Sequence, residues 1–416
     1  MRVGIVFPGQ GSQYIGMGKK LYDRYDCVKK IFTEASEILG YDIQNLCFYG
    51  DSTTLQNSEY TQPATFIVSY AAYIAFIDEF CIRPACLAGH SMGEITALVC
   101  ANAIDFGQGL QIIRKRGRFM QESATNIGGM YSVINMKKDE LELECQRASN
   151  EKDFVTISNF NSSQQYTISG SYCALEKVIP GIKDKGGVAI PLKVSGPFHS
   201  MYMKKSAEEF SAFLNAFTFK SPDYPIISNI TCKEYDINTN IKDTLVKQIY
   251  SQILWGKCIQ SILEKDVDMM IELGPKNVLT KLIKQQTNQI KVFASDQEKE
   301  LEEFYKTIGD SHGNYNNDVT RIDSLVRHCL KRAVCICNNG EDETEYEQEF
   351  RIPYTEIKKK YFMYKESGKL IPLELSKDAV EMLKAACRVK KVSKEVEENL
   401  LVDIIMATGT KSLILK

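Results

Sequence analysis

The sequence predicts an α/β protein with a small α+β insertion and a charged helical extension. Three observations carry this. Short apolar runs closed by Gly or Pro, such as Val3 to Phe7, alternate with stretches of helical spacing such as Leu21 to Leu39. A glycine-flanked serine, Gly89-His90-Ser91-Met92-Gly93, joins a strand-like run to a helix-like one. Charge density then rises: residues 310–416 carry 18 basic and 18 acidic residues in 107, against 33 and 35 in the 309 before them.

Taken in order, Val3 to Phe7 is a buried strand closed by Pro8-Gly9, and Leu21 to Leu39 is a helix. Thr61 to Phe80 is a buried helix, Ala85 to Ala88 a second strand, and Glu94 to Ala103 the helix after the serine turn. Met130 to Met136, Val155 to Ser158 and Tyr166 to Ser169 read as strands, with helices at Asp139 to Ala148 and Tyr172 to Lys185 and an extended run at Ala189 to Val194. That β-α-β-β-α-β succession marks an inserted α+β subdomain. Helices follow at Met203 to Ala216 and Ile241 to Leu263, and a strand at Met269 to Leu273. Gly309 to Asp318, rich in Gly, Asn, Asp and Ser, reads as a linker. Beyond it Asp378 to Arg388 and Lys394 to Met406 have helical spacing.

Composition removes several classes. With 51 Lys+Arg against 53 Asp+Glu the net charge is -2, so no global excess of cations exists to neutralise a nucleic acid. The longest apolar stretch, Phe66 to Ile77, is shorter than the roughly 20 residues a membrane span needs, and no membrane partner is expected. The N-terminus lacks a small-residue cleavage site, so a cytoplasmic protein is expected. Its 13 cysteines, spread and odd in number, read as reduced thiols. His328, Cys329, Cys335 and Cys337 lack the paired spacing of a zinc site, so no metal is expected.

The chemistry centres on Ser91. Glycines on both sides permit a sharp strand-to-helix turn that exposes the hydroxyl, and the Met92 backbone N–H sits where the helix dipole stabilises an oxyanion. A serine nucleophile needs a base, and the chain has 4 histidines. His90 lies inside the turn, while His312 and His328 lie in the linker and the charged extension. His199, in the loop Ser195-Gly196-Pro197-Phe198-His199-Ser200, is the candidate.

The motifs FPGQGSQ (7–13), YTQPATF (60–66), GHSMGE (89–94), RGRFMQ (116–121), NFNSSQQYTISG (159–170), GPFHS (196–200) and ELGPKNVL (272–279) occur in one order. Together they resemble the malonyl-CoA:acyl carrier protein transacylases over residues 1–305, and are similar to the free-standing acyltransferases that serve polyketide synthases. The resemblance implies an α/β-hydrolase-like core (1–125 and 196–309), a ferredoxin-like subdomain (126–195), and a C-terminal extension (310–416) outside the match. It implies that Ser91 is the nucleophile, His199 its base, and the backbone N–H of Gln10 the second oxyanion donor beside Met92. Arg116 matches the arginine that grips the free carboxylate of malonate, which suits a guanidinium fork. Phe198 is implied to bound the malonyl α-carbon and disfavour a methyl branch. The family glutamine that orients the histidine is expected just before Trp255, where this chain has Leu254, so no third catalytic member is assigned.

The expected activity is transfer of malonyl from malonyl-CoA to the phosphopantetheine thiol of an acyl carrier protein, for polyketide or fatty acid synthesis. No bound cofactor is required. An acyl hydrolase of the same fold is the alternative, and Arg116 argues for transfer because hydrolase relatives usually lack it. A non-catalytic acyl-binding protein is the third class, opposed by the intact nucleophile and base. The extension is expected to be a small helical module of unassigned role, either an ordered passive extension or a docking module for a carrier protein or a polyketide synthase.

Overall fold

A computed structural model gives the fold of the chain and describes every residue except 1, 81, 125, 195, 237–238, 313–317, 337, 339, 341, 368, 409 and 411–416. Five strands form a parallel sheet: β1 (Val3–Phe7), β2 (Cys86–Gly89), β7 (Ile226–Ile227), β8 (Met269–Glu272) and β9 (Lys291–Ala294), in the order β7-β2-β1-β8-β9. Every residue of β1, β2 and β8 is buried, the pattern of strands covered on both faces by helices. Ile5 pairs with Leu87 on one side and with Ile271 on the other. The helix Ser58–Phe80 is apolar nearly all round, so it is buried along most of its length.

The inserted segment forms its own sheet. β3 (Gly128–Ile134), β4 (Val155–Phe160), β5 (Gln165–Ser171) and β6 (Val188–Pro191) run antiparallel in the order β4-β5-β3-β6. Helices Lys138–Ala148 and Tyr172–Asp184 pack with this sheet through Leu141, Cys145, Ile157, Ile168, Leu175 and Val178. The expected β-α-β-β-α-β succession is present, with ends shifted by at most three residues.

Two expected helices are broken. Leu21 to Leu39 is two helices, Lys19–Arg24 and Asp26–Leu39, because Tyr25 is extended between them. Ile241 to Leu263 is likewise Ile241–Tyr250 and Trp255–Leu263. The reason is tertiary pairing: the Ile253 backbone donates to Ser158 O at 2.8 Å and accepts from Phe160 N at 2.8 Å, adding a bridge to the edge of β4. Helical periodicity carries through this stretch because Ile249 and Ile253, four residues apart, are both fully buried in the core.

Packing divides the chain into Met1–Asp78 with Ile82–Glu303, and residues 79–81 with 304–416. The boundary therefore precedes Asp310. Helix Glu298–His312 runs through the first four residues of the expected linker, and 313–317 lie outside the described residues. Phe304 is fully buried with its ring edge-on to Phe80 at 5.2 Å, so apolar packing of the second unit begins before the polar stretch. This unit is helical: Asp318–Cys335, Glu343–Tyr346, a π-turn at Glu347–Arg351, Ile352–Glu366, Leu373–Val389 and Lys394–Thr408. Its core holds Leu325, Val326, Cys329, Ala379, Leu383 and Ala386. His328 and Cys329 are buried in the first of these helices, and Cys337 lies outside the described residues. No helix among the described residues is long and apolar enough to cross a membrane.

Candidate active site

β1 and β2 are parallel neighbours that end in register, Phe7 beside Gly89, so the loops following both strands meet at the carboxyl edge of the sheet. The turn after β2 is tight enough that a Cβ on Gly89 would fall 1.9 Å from the Gly93 carbonyl carbon, which excludes any other residue there. Ser91 holds a left-handed φ of 54°, and helix Gly93–Cys100 begins two residues later. Such strain in a non-glycine residue persists only where the surroundings enforce it. Two side chains from distant segments do so. Asn229 accepts from Ser91 N at 2.6 Å and donates to Gly89 O at 2.7 Å, while Gln248 Nε2 donates to Ser91 O at 3.0 Å.

His199 also has a left-handed φ, 57°, in a loop whose Ser200 hydroxyl donates to Pro197 O. Its Nε2 lies 2.8 Å from Ser91 Oγ and its Nδ1 lies 2.9 Å from the backbone carbonyl of Gln248. A carbonyl only accepts, so Nδ1 carries the proton and Nε2 is the free base that receives the Ser91 O–H. Burial, and then the charge of Arg116, push the His199 pKa down to about 3, so the imidazole is neutral. His90 is not placed to serve: its Nε2 meets Asn161 Oδ1 at 3.0 Å and its ring is edge-on to Trp255.

Helix Phe106–Ala124 delivers Arg116, which is 1% exposed. The helix can approach Ser58–Phe80 closely because a Cβ on Gly117 would sit 2.3 Å from Ser58 O. Arg116 Nη1 donates to Gln62 Oε1 at 2.9 Å, and Nη2 donates to Gln248 Oε1 at 2.9 Å and Ser91 Oγ at 3.1 Å. The buried Nε–H has no partner among the described residues. Burial lowers the Arg116 pKa to about 10, with Glu94 opposing the shift, so the guanidinium stays charged. Leaving a buried donor unpaired costs roughly 1–3 kcal/mol.

Behind these groups, fully buried Glu94 accepts from Gln248 Nε2 at 2.6 Å, from Asn229 N at 3.1 Å and from the Tyr235 hydroxyl. Burial raises its pKa, and these donors favour the carboxylate. A cavity of about 270 Å³ opens over the whole set and is lined by Gln10, Ser91, Met92, Arg116, Phe198 and His199, among others. All six residues expected from the sequence therefore meet at one cavity. Neither the Gln10 nor the Met92 backbone N–H donates a hydrogen bond among the described residues.

One expectation is corrected. The group that holds His199 is not at the position of Leu254; it is the main-chain carbonyl of Gln248, six residues earlier. Because any residue offers a carbonyl, the side chain at 254 has no bearing on it. Leu254 instead uses its backbone N–H to bond Asn229 O at 2.9 Å. Sequence reasoning also missed Gln62, Glu94 and Gln248 as individual residues. The first two lay inside singled-out motifs, whereas Gln248 sits on a helix face with no local signal.

Comparison with known proteins agrees with this geometry. The acyl transferase domain family model matches residues 5–327. The chain belongs to that family. A malonyl CoA-acyl carrier protein transacylase of Bacillus subtilis is 34% identical over 345 residues, covering 83% of this chain and 85% of that protein. A polyketide biosynthesis malonyl CoA-acyl carrier protein transacylase of Bacillus subtilis (strain 168) is 40% identical over 282 residues, 67% of this chain and 94% of that one. Among solved structures, the malonyl CoA-acyl carrier protein transacylase of Clostridium perfringens superposes with a TM-score of 0.71 at 34% identity, covering 75% of this chain and 98% of that chain. A malonyl-transacylase in complex with a type II PKS acyl-carrier protein gives 0.70 at 34% identity, covering 72% of this chain and 98% of its own. The acyl transferase match extends past Asp310, to residue 327, so the family's share of the chain is longer than the motifs suggest.

Proposed function

We propose that this acyl transferase moves a malonyl group from malonyl-CoA to the phosphopantetheine thiol of an acyl carrier protein through a malonyl ester on Ser91. The observation that carries the reading is the meeting of Ser91, neutral His199 and a buried arginine with an unpartnered Nε–H in one cavity. Ser91 Oγ attacks the thioester carbonyl and its proton passes to His199 Nε2. The Gln10 and Met92 N–H groups receive the oxyanion. Collapse expels the CoA thiolate, which takes the proton from His199 and leaves as the thiol. The pantetheine thiol then reverses the sequence: His199 takes its proton, sulfur attacks the ester carbonyl, and Ser91 leaves with the proton returned.

Arg116 supplies the selectivity for a diacid. Bound malonate neutralises the cation that helps to depress the His199 pKa, so occupancy by the correct acyl group strengthens the base. An acetyl group leaves both the buried Nε–H and the His199 basicity as they were. Phe198, 4% exposed on the cavity wall, is placed in this reading to crowd a branched α-carbon. Excluding one methyl is worth only about 1–3 kcal/mol, so discrimination against methylmalonyl is modest.

The reading includes an α/β-hydrolase-like core carrying a ferredoxin-like subdomain, supported by the serine turn after β2 and by the β4-β5-β3-β6 order of the antiparallel sheet. It requires no bound cofactor and places the reaction in the cytoplasm. Intact-protein mass spectrometry after brief mixing with malonyl-CoA or acetyl-CoA tests it. A malonyl adduct on the wild type, absent from Ser91→Ala and weakened in Arg116→Ala, is the expected result. Equal loading of acetyl and malonyl on the wild type defeats the arginine argument, and no adduct at all defeats the assignment.

A further inference from the structure

The segment ELGPKNVL, at the end of β8, holds none of the reacting groups, yet it lies directly against the loop that carries Gln10. Contact is made at three points spaced along that loop. At the first, a Cβ on Gly274 would lie 2.7 Å from Cγ of Pro8 and 2.4 Å from Ser69 Oγ, so only glycine lets the two loops approach this closely. At the second, Lys276 Nζ donates to the backbone carbonyl of Gly11 at 3.1 Å. At the third, the Tyr14 hydroxyl donates to Asp296 at 2.9 and 3.0 Å, and the same carboxylate accepts from Lys276 N at 2.7 Å. Residues 8, 11 and 14 are thus each fastened, on both sides of Gln10.

The fastening is itself held. Lys276 adopts a left-handed φ of 62°, unfavourable for a residue with a Cβ. Glu272 anchors the segment from behind by accepting from Leu279 N at 3.1 Å and Thr280 N at 2.7 Å. Strain kept in place by several converging bonds is the signature of a position that sets geometry elsewhere.

We propose that Lys276, with Asp296 and Tyr14 behind it, is a positioning residue that fixes the Gln10 peptide as an oxyanion donor. The proposal rests on the transferase reading above, in which the Gln10 N–H meets the tetrahedral oxyanion. Its consequence is specific: a loosened loop weakens the transition state and leaves ground-state binding of the thioester unchanged.

The test uses the full chain and the variants Lys276→Met, Lys276→Arg and Asp296→Asn. Single-turnover malonylation is followed by mass spectrometry and expressed per loadable Ser91, so a misfolded fraction does not enter the rate. Lys276→Met is expected to lower the rate constant on the order of tenfold with KM for malonyl-CoA unchanged, and Lys276→Arg to restore most of it. Affinity for a carboxyalkylboronic acid should fall in the same proportion, because Ser91 Oγ adds to boron to give a tetrahedral anion while the proton passes to His199. Asp296→Asn should move rate and boronate affinity in parallel by a smaller factor.

Unchanged rate and boronate affinity in Lys276→Met and Asp296→Asn, with the wild type loading normally, overturn the proposal alone. A raised KM at unchanged rate also overturns it, marking Lys276 as a contact to the phosphates of CoA. Failure of the wild type to form malonyl-Ser91 overturns the transferase reading, and the proposal with it.

Discussion

The two packing units bury polar side chains for opposite reasons. In the acyl transferase unit Glu94, Arg116, His199, Gln62, Gln248 and Asn229 are all under 5% exposed and form one connected network around a cavity. In the C-terminal unit Lys390 is a buried cation, 3% exposed, whose Nζ donates to Ala333 O at 2.8 Å and Ile336 O at 3.0 Å and lies 4.6 Å from the Phe350 ring. Lys390 satisfies the carbonyl end of helix Asp318–Cys335 and lies over the rings of Tyr346 and Phe350. The first network keeps a donor open and two residues in strained backbone, whereas the second closes a helix end. An unsatisfied or strained group beside a cavity is thus a better pointer to chemistry than buried charge by itself.

Substitutions test that division. Ser91→Ala has the largest expected effect: loss of the malonyl adduct and a fall in transfer of about 10⁴-fold or more, read by mass and by transfer to a carrier protein. Any adduct that persists places the nucleophile elsewhere. Arg116→Ala comes next, with kcat/KM for malonyl-CoA lower by roughly 10²-fold and acetyl-CoA little changed. A parallel loss for both thioesters reduces Arg116 to a structural cation like Lys390.

Gln248→Ala sharpens the contrast within the site. It keeps the carbonyl that orients His199 and removes the side-chain bonds to Ser91 O, Glu94 and Arg116, so about tenfold of kcat/KM is expected to be lost with the pH profile unmoved. That profile is itself diagnostic. With the His199 pKa lowered to about 3 by burial and Arg116, acylation should hold its rate as pH falls through 6.5 and decline only well below. Removing the Arg116 cation removes one depressing cause, so the acid limb of Arg116→Ala should move to higher pH. A wild-type limb centred near 6.5 contradicts the burial argument.

The smallest catalytic effect is expected in the other unit. Lys390→Met leaves two carbonyls without their donor and should lower stability by about 1–3 kcal/mol in thermal or denaturant unfolding, with acylation of Ser91 unchanged. Slower acylation in this variant breaks the division of labour between the units.

Much was legible from local pattern. The buried runs of β1, β2 and β8, the insertion and the helices at Leu373–Val389 and Lys394–Thr408 all show as periodicity and punctuation, because burial of consecutive or spaced residues writes itself directly into composition. Ser91 was visible for the same reason: its constraints, glycine on each side and a helix after, lie within five residues. The helix breaks at Tyr25 and Ser251 to Leu254 were not, since a strand edge contributed by residues 158–160 decides the second of them.

By itself, then, the sequence determined the sheet, the insertion, the nucleophile and, by scarcity of histidines, the base. Tertiary structure alone decided what aims them. The carbonyl of Gln248 on His199, the amide of Asn229 on the serine turn and the Nη2 of Arg116 on Ser91 Oγ join residues 25 to 138 positions apart in chain. A main-chain carbonyl has no residue type, and an amide side chain bonds wherever packing takes it, so neither leaves a mark on local sequence; both exist only once the helices close on the carboxyl edge of the sheet.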